Sequence, residues 1–281
     1  MLSSSLPTCR NGRGSWMSAA APEKLRESLS VVIPTYKEAR RLPATLRAVL
    51  DYLGKRFESF EVIVVDDNSP DGTGDIVREY AARLPQVRLI VQPYRIGKGA
   101  ALRRGCLEAA GATVLFMDAD HATPIAEVEE FLPHLRGVTE GAVAGVRTYQ
   151  EGESRARRIV GLLCQLLAHL IVFRKAVVDS QCGFKLFTRS AAQRLFSLAR
   201  VNGGMIDVEL FALMHRLGIP CRYEPVSWRN QDGSRVSFVV SAFRDPLDML
   251  KIRLRDAAGV YRSPVPPDRQ PWAATASRPS S

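Results

Sequence analysis

Thr113-Val-Leu-Phe-Met-Asp-Ala-Asp-His-Ala-Thr123 is an apolar run that ends abruptly in two carboxylates, Asp118 and Asp120. A run this short, β-branched and aromatic predicts a buried strand, with both acids placed where the chain leaves the sheet. Carboxylates at i and i+2 converge on one cation once the backbone turns, and hard oxygen ligands suit Mg²⁺ or Mn²⁺ carrying phosphates. The competing reading is a helix cap, with Asp120 leading into a helix near Pro124. The stretch by itself leaves both open.

Working outward, Leu29 to Pro34 predicts a strand stopped by proline, with Thr35-Tyr36-Lys37-Glu38 in the turn. Leu42, Leu46, Val49, Leu50 and Leu53 then recur at helical spacing. Phe60 to Val65 predicts a second strand, closed by Asp66-Asp67-Asn68-Ser69-Pro70-Asp71-Gly72-Thr73. Asp75 to Leu84 reads as helix, Val87 to Val91 as strand, and Gly99 to Ala110 as helix before the strand at Thr113. Strands alternating with helices predict an α/β fold with a largely parallel sheet, whose ligand site lies at the carboxyl ends of the strands. Three acidic clusters then share one edge: Glu38, Asp66 with Asp67, and Asp118 with Asp120.

The 281 residues, 46% hydrophobic, suffice for one large domain, and the net charge of +10 favours anionic partners. Nothing resembles a nucleic-acid reader motif, so nucleic acid is not expected as a partner. Five scattered cysteines without a Cys-x-x-Cys pair argue against a disulfide framework and a zinc site, and point to a reducing cytosol. No stretch reaches the roughly 18 apolar residues of a spanning helix. The expected organisation is a disordered leader over 1–28, with Met17 an alternative start, and a catalytic domain over 29–240. An amphipathic helix follows over 241–262 and a disordered tail over 263–281.

Gly97-Lys98-Gly99 precedes a helix, which makes it a candidate phosphate cradle or a plain helix-start turn. It fails the P-loop pattern, because Gly99 stands where Ser or Thr is required.

Val31-Val-Ile-Pro-Thr-Tyr-Lys-Glu38, Val64-Val-Asp-Asp-Asn-Ser-Pro-Asp-Gly-Thr73 and Asp118-Ala-Asp120, in this order, resemble glycosyltransferase family 2. Its GT-A fold has a Rossmann-like, mostly parallel central sheet with helices on both faces. Asp179-Ser-Gln-Cys-Gly-Phe-Lys-Leu-Phe-Thr188 resembles the signature of the dolichyl-phosphate β-glucosyltransferase branch, and the whole resemblance spans about residues 29 to 255. It implies a nucleotide-sugar donor whose nucleoside is held by Pro34, Tyr36, Glu38 and Asp67, and the glycine turn above makes Lys98 a candidate for the donor phosphates. It also implies that Asp118 and Asp120 take the diphosphate through Mg²⁺ or Mn²⁺. Gln181 and Lys185 are implied to line the sugar and phosphate site, and Asp207 and Glu209 to lie near the acceptor end, N-capping being the rival role for Asp207. Trp228, Ser234 and Arg235 match a late family segment. Lys37 replaces the more usual Asn. Ala122 stands where related mannosyltransferases place a polar ligand, as the glucosyl branch also does, which tilts the donor to UDP-glucose over GDP-mannose. His121 replaces that branch's glycine.

Arg147 is expected at a strand end, with Arg157 and Arg158 following, and guanidinium groups match phosphate oxygens bidentately. Arg147 is assigned to phosphate, and Arg157 and Arg158 to an anionic acceptor. Ile159, Leu162, Leu163, Leu166, Leu167 and Leu170 form a leucine-rich stripe led by arginines, either an interfacial helix or a core helix. Ser241 to Asp256 is a second candidate for the membrane surface, and either helix is alternatively a dimer contact. A polyprenyl phosphate acceptor is ionised at neutral pH, which fits the lack of a His-based triad. The expected enzyme is an inverting hexosyltransferase, peripheral on the cytoplasmic face of a membrane. The alternatives are another nucleotide sugar, a soluble acceptor or an inactive binding module. An Asp-x-Asp-x-Thr phosphohydrolase fails because Ala122 stands where Thr is required. A two-carboxylate site without a third polar ligand is expected to hold its metal weakly until the donor arrives.

Overall fold

In the computed structural model, residues 24–148, 166–168, 172, 179, 181–229, 238–266 and 270–271 are described. Strands β1 (Leu29–Thr35), β2 (Phe60–Asp66), β3 (Val87–Val91), β4 (Thr113–Met117), β5 (Ala142–Thr148), β6 (Phe184–Thr188) and β7 (Cys221–Ser227) form one sheet. Its order is β3-β2-β1-β4-β6-β5-β7. Every pairing is parallel except those of β6, which runs against both β4 and β5. Helices α1 (Leu42–Arg56), α2 (Thr73–Arg83), α3 (Lys98–Glu108), α4 (Arg189–Leu198), α5 (Ile206–Leu217) and α6 (Phe238–Ala257) complete it. Short helical turns fill Ile125–Glu127, Val128–Phe131 and Leu132–Leu135.

The apolar runs are near-continuous because helices cover both faces of the sheet. Val31 and Ile33 face α1 through Leu42, Leu46 and Leu53. Their neighbour Val32 faces the other way, into a core with Leu102 of α3, Phe196 of α4 and Leu210 of α5. Successive side chains alternate between the two cores, as strand geometry requires.

Register carries the site. Thr35 pairs with Asp66, and Val32 with Phe116, so β1, β2 and β4 end at one edge. Because β6 is antiparallel, its first residue Phe184 pairs with Met117, the last of β4. The segment Gln181–Gly183 is thereby delivered beside Asp118, and the Asp118 amide donates to the Gly183 carbonyl at 3.2 Å.

Three expectations about organisation change. The leader does not run to residue 28: Leu25 forms a bridge with Phe57, and Ala112 N–H donates to Ser28 Oγ at 2.8 Å. The C-terminal helix is not an appendage, since Met249 and Ile252 of α6 are fully buried in the core against α3–α5. The tail does not begin at 263, because Val265 N–H donates to Ser197 O at 2.9 Å and Tyr94 Oη–H to Pro271 O at 2.7 Å. The strand at β6 lies inside the segment read for chemistry, and neither it nor α4 nor β7 was expected from periodicity. Arg157, Arg158, Ser234 and Arg235 lie outside the described residues. So does most of the leucine-rich stripe, apart from Leu166–Ala168, where Ala168 is buried and Leu166 exposed. Among the described residues no helix is long and apolar enough to cross a membrane.

Candidate active site

The loop after β2 is built by Asp66, whose carboxylate accepts from Thr35 Oγ1 at 3.1 Å and from the Ser69 amide at 2.9 Å. Asp67 follows with a different task. Its Oδ1 accepts from the Ile96 amide at 2.7 Å, tying this loop to the segment before α3, and burial raises its pKa. Tyr36 and the half-buried Pro34 sit at the end of β1, and the Arg95 guanidinium lies 4.2 Å from the Tyr36 ring centroid. That cation–π contact went unforeseen, because loop residues without periodicity give no partner signal. Lys37 takes φ 59°, in the left-handed region where Asn is favoured over lysine, which explains why Asn is the commoner family residue. Glu38 is clamped by Arg41 through two hydrogen bonds, at 2.7 and 2.5 Å.

Beyond β4, Asp118, Asp120, Ala122, Gly183 and Trp228 line a small cleft. Asp120 is not a helix cap: Pro124 holds the N-cap position of the following turn, and Asp120 Oδ1 accepts from the Ala122 amide at 3.1 Å. Thr45 Oγ1 donates to the Ala119 carbonyl at 2.7 Å, pinning the loop between the acids to α1. His121 has φ 54°, a backbone that suits the glycine found there in the resembling branch. Burial first, and then the neighbouring Asp118, raise the pKa of Asp120. A divalent ion carried by Asp120 would therefore be released on acidification sooner than from an exposed aspartate, whose pKa is about 3.9. The sign is fixed: a raised acid pKa keeps the non-ligating protonated form to higher pH, so activity rises with pH along the acid limb. A kcat/KM profile flat down to about pH 4 would contradict it. The same shift means that ionised Asp120 opposes folding, so the metal-free chain gains stability as pH falls through that pKa.

Gly183 is dictated by contact. A Cβ there would lie 1.9 Å from Asp118 Oδ2, so only glycine leaves the carboxylate in place. Gly183→Ala is expected to lower kcat/KM by about 10²-fold or more while far-UV circular dichroism is kept, because the Asp118 carboxylate is pushed out of place. A loss below threefold would sink this reading.

The Gly97-Lys98-Gly99 turn is not an open phosphate cradle. The Gly99 and Ala100 amides donate to Asn202 O at 2.8 and 3.3 Å, and a Cβ on Gly97 or Gly99 would lie 2.4 Å from the Asn202 or Val201 carbonyl oxygen. The glycines allow close backbone approach, while Lys98 reaches the site by its side chain. Its Nζ stands 2.7 Å from Asp118 Oδ1 and 3.8 Å from Asp207 Oδ2. Burial works against its charge, but Asp118 and Asp207 raise its pKa overall.

Four assignments from sequence require correction. Lys185 does not line the site: it is 1% exposed, lies between Phe116 and Phe211, and donates to Cys182 O at 2.5 Å and Asp207 Oδ1 at 2.6 Å. Arg147 is not held out to a phosphate, because its Nε and Nη2 fork Asp179 at 2.8 and 3.0 Å. Burial alone would raise the Asp179 pKa, but Arg147 overrides it and holds the carboxyl below the usual range. Glu209, fully buried, accepts from the Arg200 and Val201 amides and from Tyr261 Oη–H at 2.6 Å, so it braces the loop under α3 and is not an acceptor-side group. Asp207 is neither an N-cap, which is Met205, nor an open acceptor contact; it reaches the site only through Lys98. Gln181 is half-buried beside Gly183, its backbone N–H donating to Asp179 Oδ1 at 3.2 Å. Trp228 joins the cleft, with Arg147 over its ring at 5.7 Å.

Among the described residues no third His, Cys, Asp or Glu joins Asp118 and Asp120 in a metal-binding group. Two hard carboxylates in a partly open cleft suit a Mg²⁺ or Mn²⁺ ion that arrives with phosphate oxygens, and do not suit a protein-caged metal.

A sheet of this order, with acids gathered at the carboxyl ends of β1, β2 and β4, is the arrangement of the GT-A glycosyltransferases. The chain belongs to the family "Glycosyl transferase family 2", whose sequence profile matches residues 30–196. It is 37% identical over 252 residues to the dolichyl-phosphate beta-glucosyltransferase of Homo sapiens, covering 84% of this chain and 78% of that protein. One of the dolichyl-phosphate beta-glucosyltransferases of Trichomonas vaginalis is 35% identical over 244 residues, with 82% of this chain and 72% of that protein covered. The fold is similar to mannosyl-3-phosphoglycerate synthase from Rubrobacter xylanophilus, at TM-score 0.60 and 19% identity over 84% of this chain and 74% of that one. Glucosyl-3-phosphoglycerate synthase from Mycobacterium tuberculosis, solved with uridine diphosphate, matches at TM-score 0.60 and 21% identity over 81% and 80%.

Proposed function

We propose that this chain transfers glucose from UDP-glucose to dolichyl phosphate or a related polyprenyl phosphate, with inversion at the anomeric carbon. The observation that carries this reading is the Asp118–Gly183 junction. The β4–β6 register joins the acidic pair to the segment resembling the dolichyl-phosphate β-glucosyltransferase signature. Identity of 37% to a relative of that name supports it.

Pro34, Tyr36, Glu38 and Asp67 hold the nucleoside, and Asp118 and Asp120 would hold a Mg²⁺ or Mn²⁺ ion with the diphosphate, glucosyl-3-phosphoglycerate synthase of the same fold having been solved with Mn²⁺, uridine diphosphate and phosphoglyceric acid. Such an ion, when bound, offsets charge on the departing diphosphate. Lys98 adds a second positive charge from the side of α3. Gln181 orients the sugar. The acceptor needs no strong base, because its phosphate oxygen is already ionised; that oxygen bonds to the anomeric carbon as the bond to the UDP β-phosphate oxygen breaks. Arg157 and Arg158 are assigned to the acceptor phosphate.

The acceptor also calls for a membrane surface, at its cytoplasmic face. On α6, Leu247, Leu250 and Leu254 are exposed along one face beside Lys251 and Arg253, while Met249 and Ile252 point to the core. That composition suits a headgroup layer. A second copy of the chain on the same face would instead give a homo-oligomer. Leu250→Asp with Leu254→Asp should cut co-sedimentation with anionic vesicles, and unchanged co-sedimentation would remove this part of the reading.

The deciding experiment is a mass-detected screen of UDP-glucose, UDP-GlcNAc and GDP-mannose against polyprenyl phosphates and soluble phosphorylated acceptors. Hexosyl polyprenyl phosphate formed from UDP-glucose is expected. Preference for GDP-mannose, or product on soluble acceptors alone, would overturn it.

A further inference from the structure

Four charges of alternating sign follow one another in contact from the core to the cleft. Lys185 Nζ meets Asp207 Oδ1 at 2.6 Å, Asp207 Oδ2 stands 3.8 Å from Lys98 Nζ, and Lys98 Nζ meets Asp118 Oδ1 at 2.7 Å. The inner pair is sealed: the side chains of Lys185 and Asp207 are 1% and 4% exposed. The outer pair is accessible, at 30% for Lys98 and 39% for Asp118.

We propose that Lys98 is a built-in counter-cation of Asp118 which a divalent ion must displace, and that Asp207 is the place to which its ammonium withdraws. The proposal rests on the metal reading given above. An ion bound through Asp118 competes with an ammonium already in contact with that carboxylate, and like charges this close repel. The lysine need not return to water, because Lys185 occupies only one oxygen of Asp207 and the other faces Lys98. Its backbone cannot follow, since Gly97 and Gly99 on either side are packed against the carbonyls of Asn202 and Val201. Only the side chain is left to move. A diphosphate reverses the competition: its charge accommodates both cations, so nucleotide and metal bind together where metal alone binds poorly. Asp207 thus acts as a positioning residue, working through Lys98.

The test is Mn²⁺ binding to the full-length, nucleotide-free chain, read by the electron paramagnetic resonance signal of free Mn²⁺. Lys98→Met, a substitution at a half-buried site, is expected to bind Mn²⁺ about tenfold more tightly than the parent, whereas Lys98→Arg stays near it. With UDP present the order inverts, and Lys98→Met loses most of the gain in Mn²⁺ affinity that UDP confers on the parent. Equal, weaker or undetectable Mn²⁺ binding by nucleotide-free Lys98→Met overturns the proposal. So does a gain that survives when Asp120→Asn is added, since the ion would then lie elsewhere. The assay contains no sugar donor or lipid, so a wrong donor assignment leaves its result untouched. Conversely, UDP-glucose turnover without the Mn²⁺ shift removes this inference alone.

Discussion

Asp120→Asn should lower glucosyl transfer by about 10³-fold in kcat/KM, equivalent to about 4 kcal/mol of transition-state stabilisation. Asn keeps the shape and the Ala122 hydrogen bond but replaces an anionic metal ligand with a neutral one. Stability should move the other way. The pKa of Asp120 is raised by burial and then by Asp118, which means that its charge is unfavourable in the folded chain. Removing that charge should leave the melting temperature equal or higher. A fall in activity joined to a rise in stability marks a group kept for chemistry. Residual activity within tenfold of the parent, or a clear loss of stability, would contradict the assignment.

Lys185→Met should destabilise the fold by about 3–5 kcal/mol, measured by denaturant unfolding, because it strands Asp207 in the core. Asp207 is 3% exposed, and its remaining cation, Lys98, is 3.8 Å away. The double variant Lys185→Met with Asp207→Leu should recover most of that loss, since a buried ion pair and an apolar pair of similar volume are close in energy. A single-variant loss below about 1 kcal/mol would show that Asp207 has another partner or access to water. Donor turnover should fall in the double variant even where stability returns, because Lys98 has lost its second contact.

Much of the frame was readable from residues alone. Val31 and Ile33, with Leu42, Leu46 and Leu53, follow strand and helix periods that hold whatever surrounds them. The acidic clusters were legible too, since each closes an apolar run. By contrast, β6 is five residues long, inside a segment whose polar and glycine residues masked the run, and its antiparallel direction leaves no local mark. The roles of Arg147, Lys185 and Glu209 were misread for one reason. Charge and position beside a site suggest a side chain that faces the ligand, yet each is satisfied by a partner 9 to 52 positions away in the chain: Asp179, Asp207, and Arg200 with Tyr261.

The sequence by itself determined the alternation of strands and helices, the family, and the Asp118–Asp120 pair at the exit of β4. These depend on side-chain type and spacing, which a single chain displays directly. Tertiary structure decided which charges are available. The β4–β6 register sets Gly183 against Asp118, the Asn202 carbonyl occupies the α3 amides, and Asp207 takes Lys185 into the core while leaving one oxygen for Lys98. Whether a carboxylate or an ammonium is free for a ligand depends on the nearest opposite charge in space, and in this fold that charge comes from a distant segment of the chain.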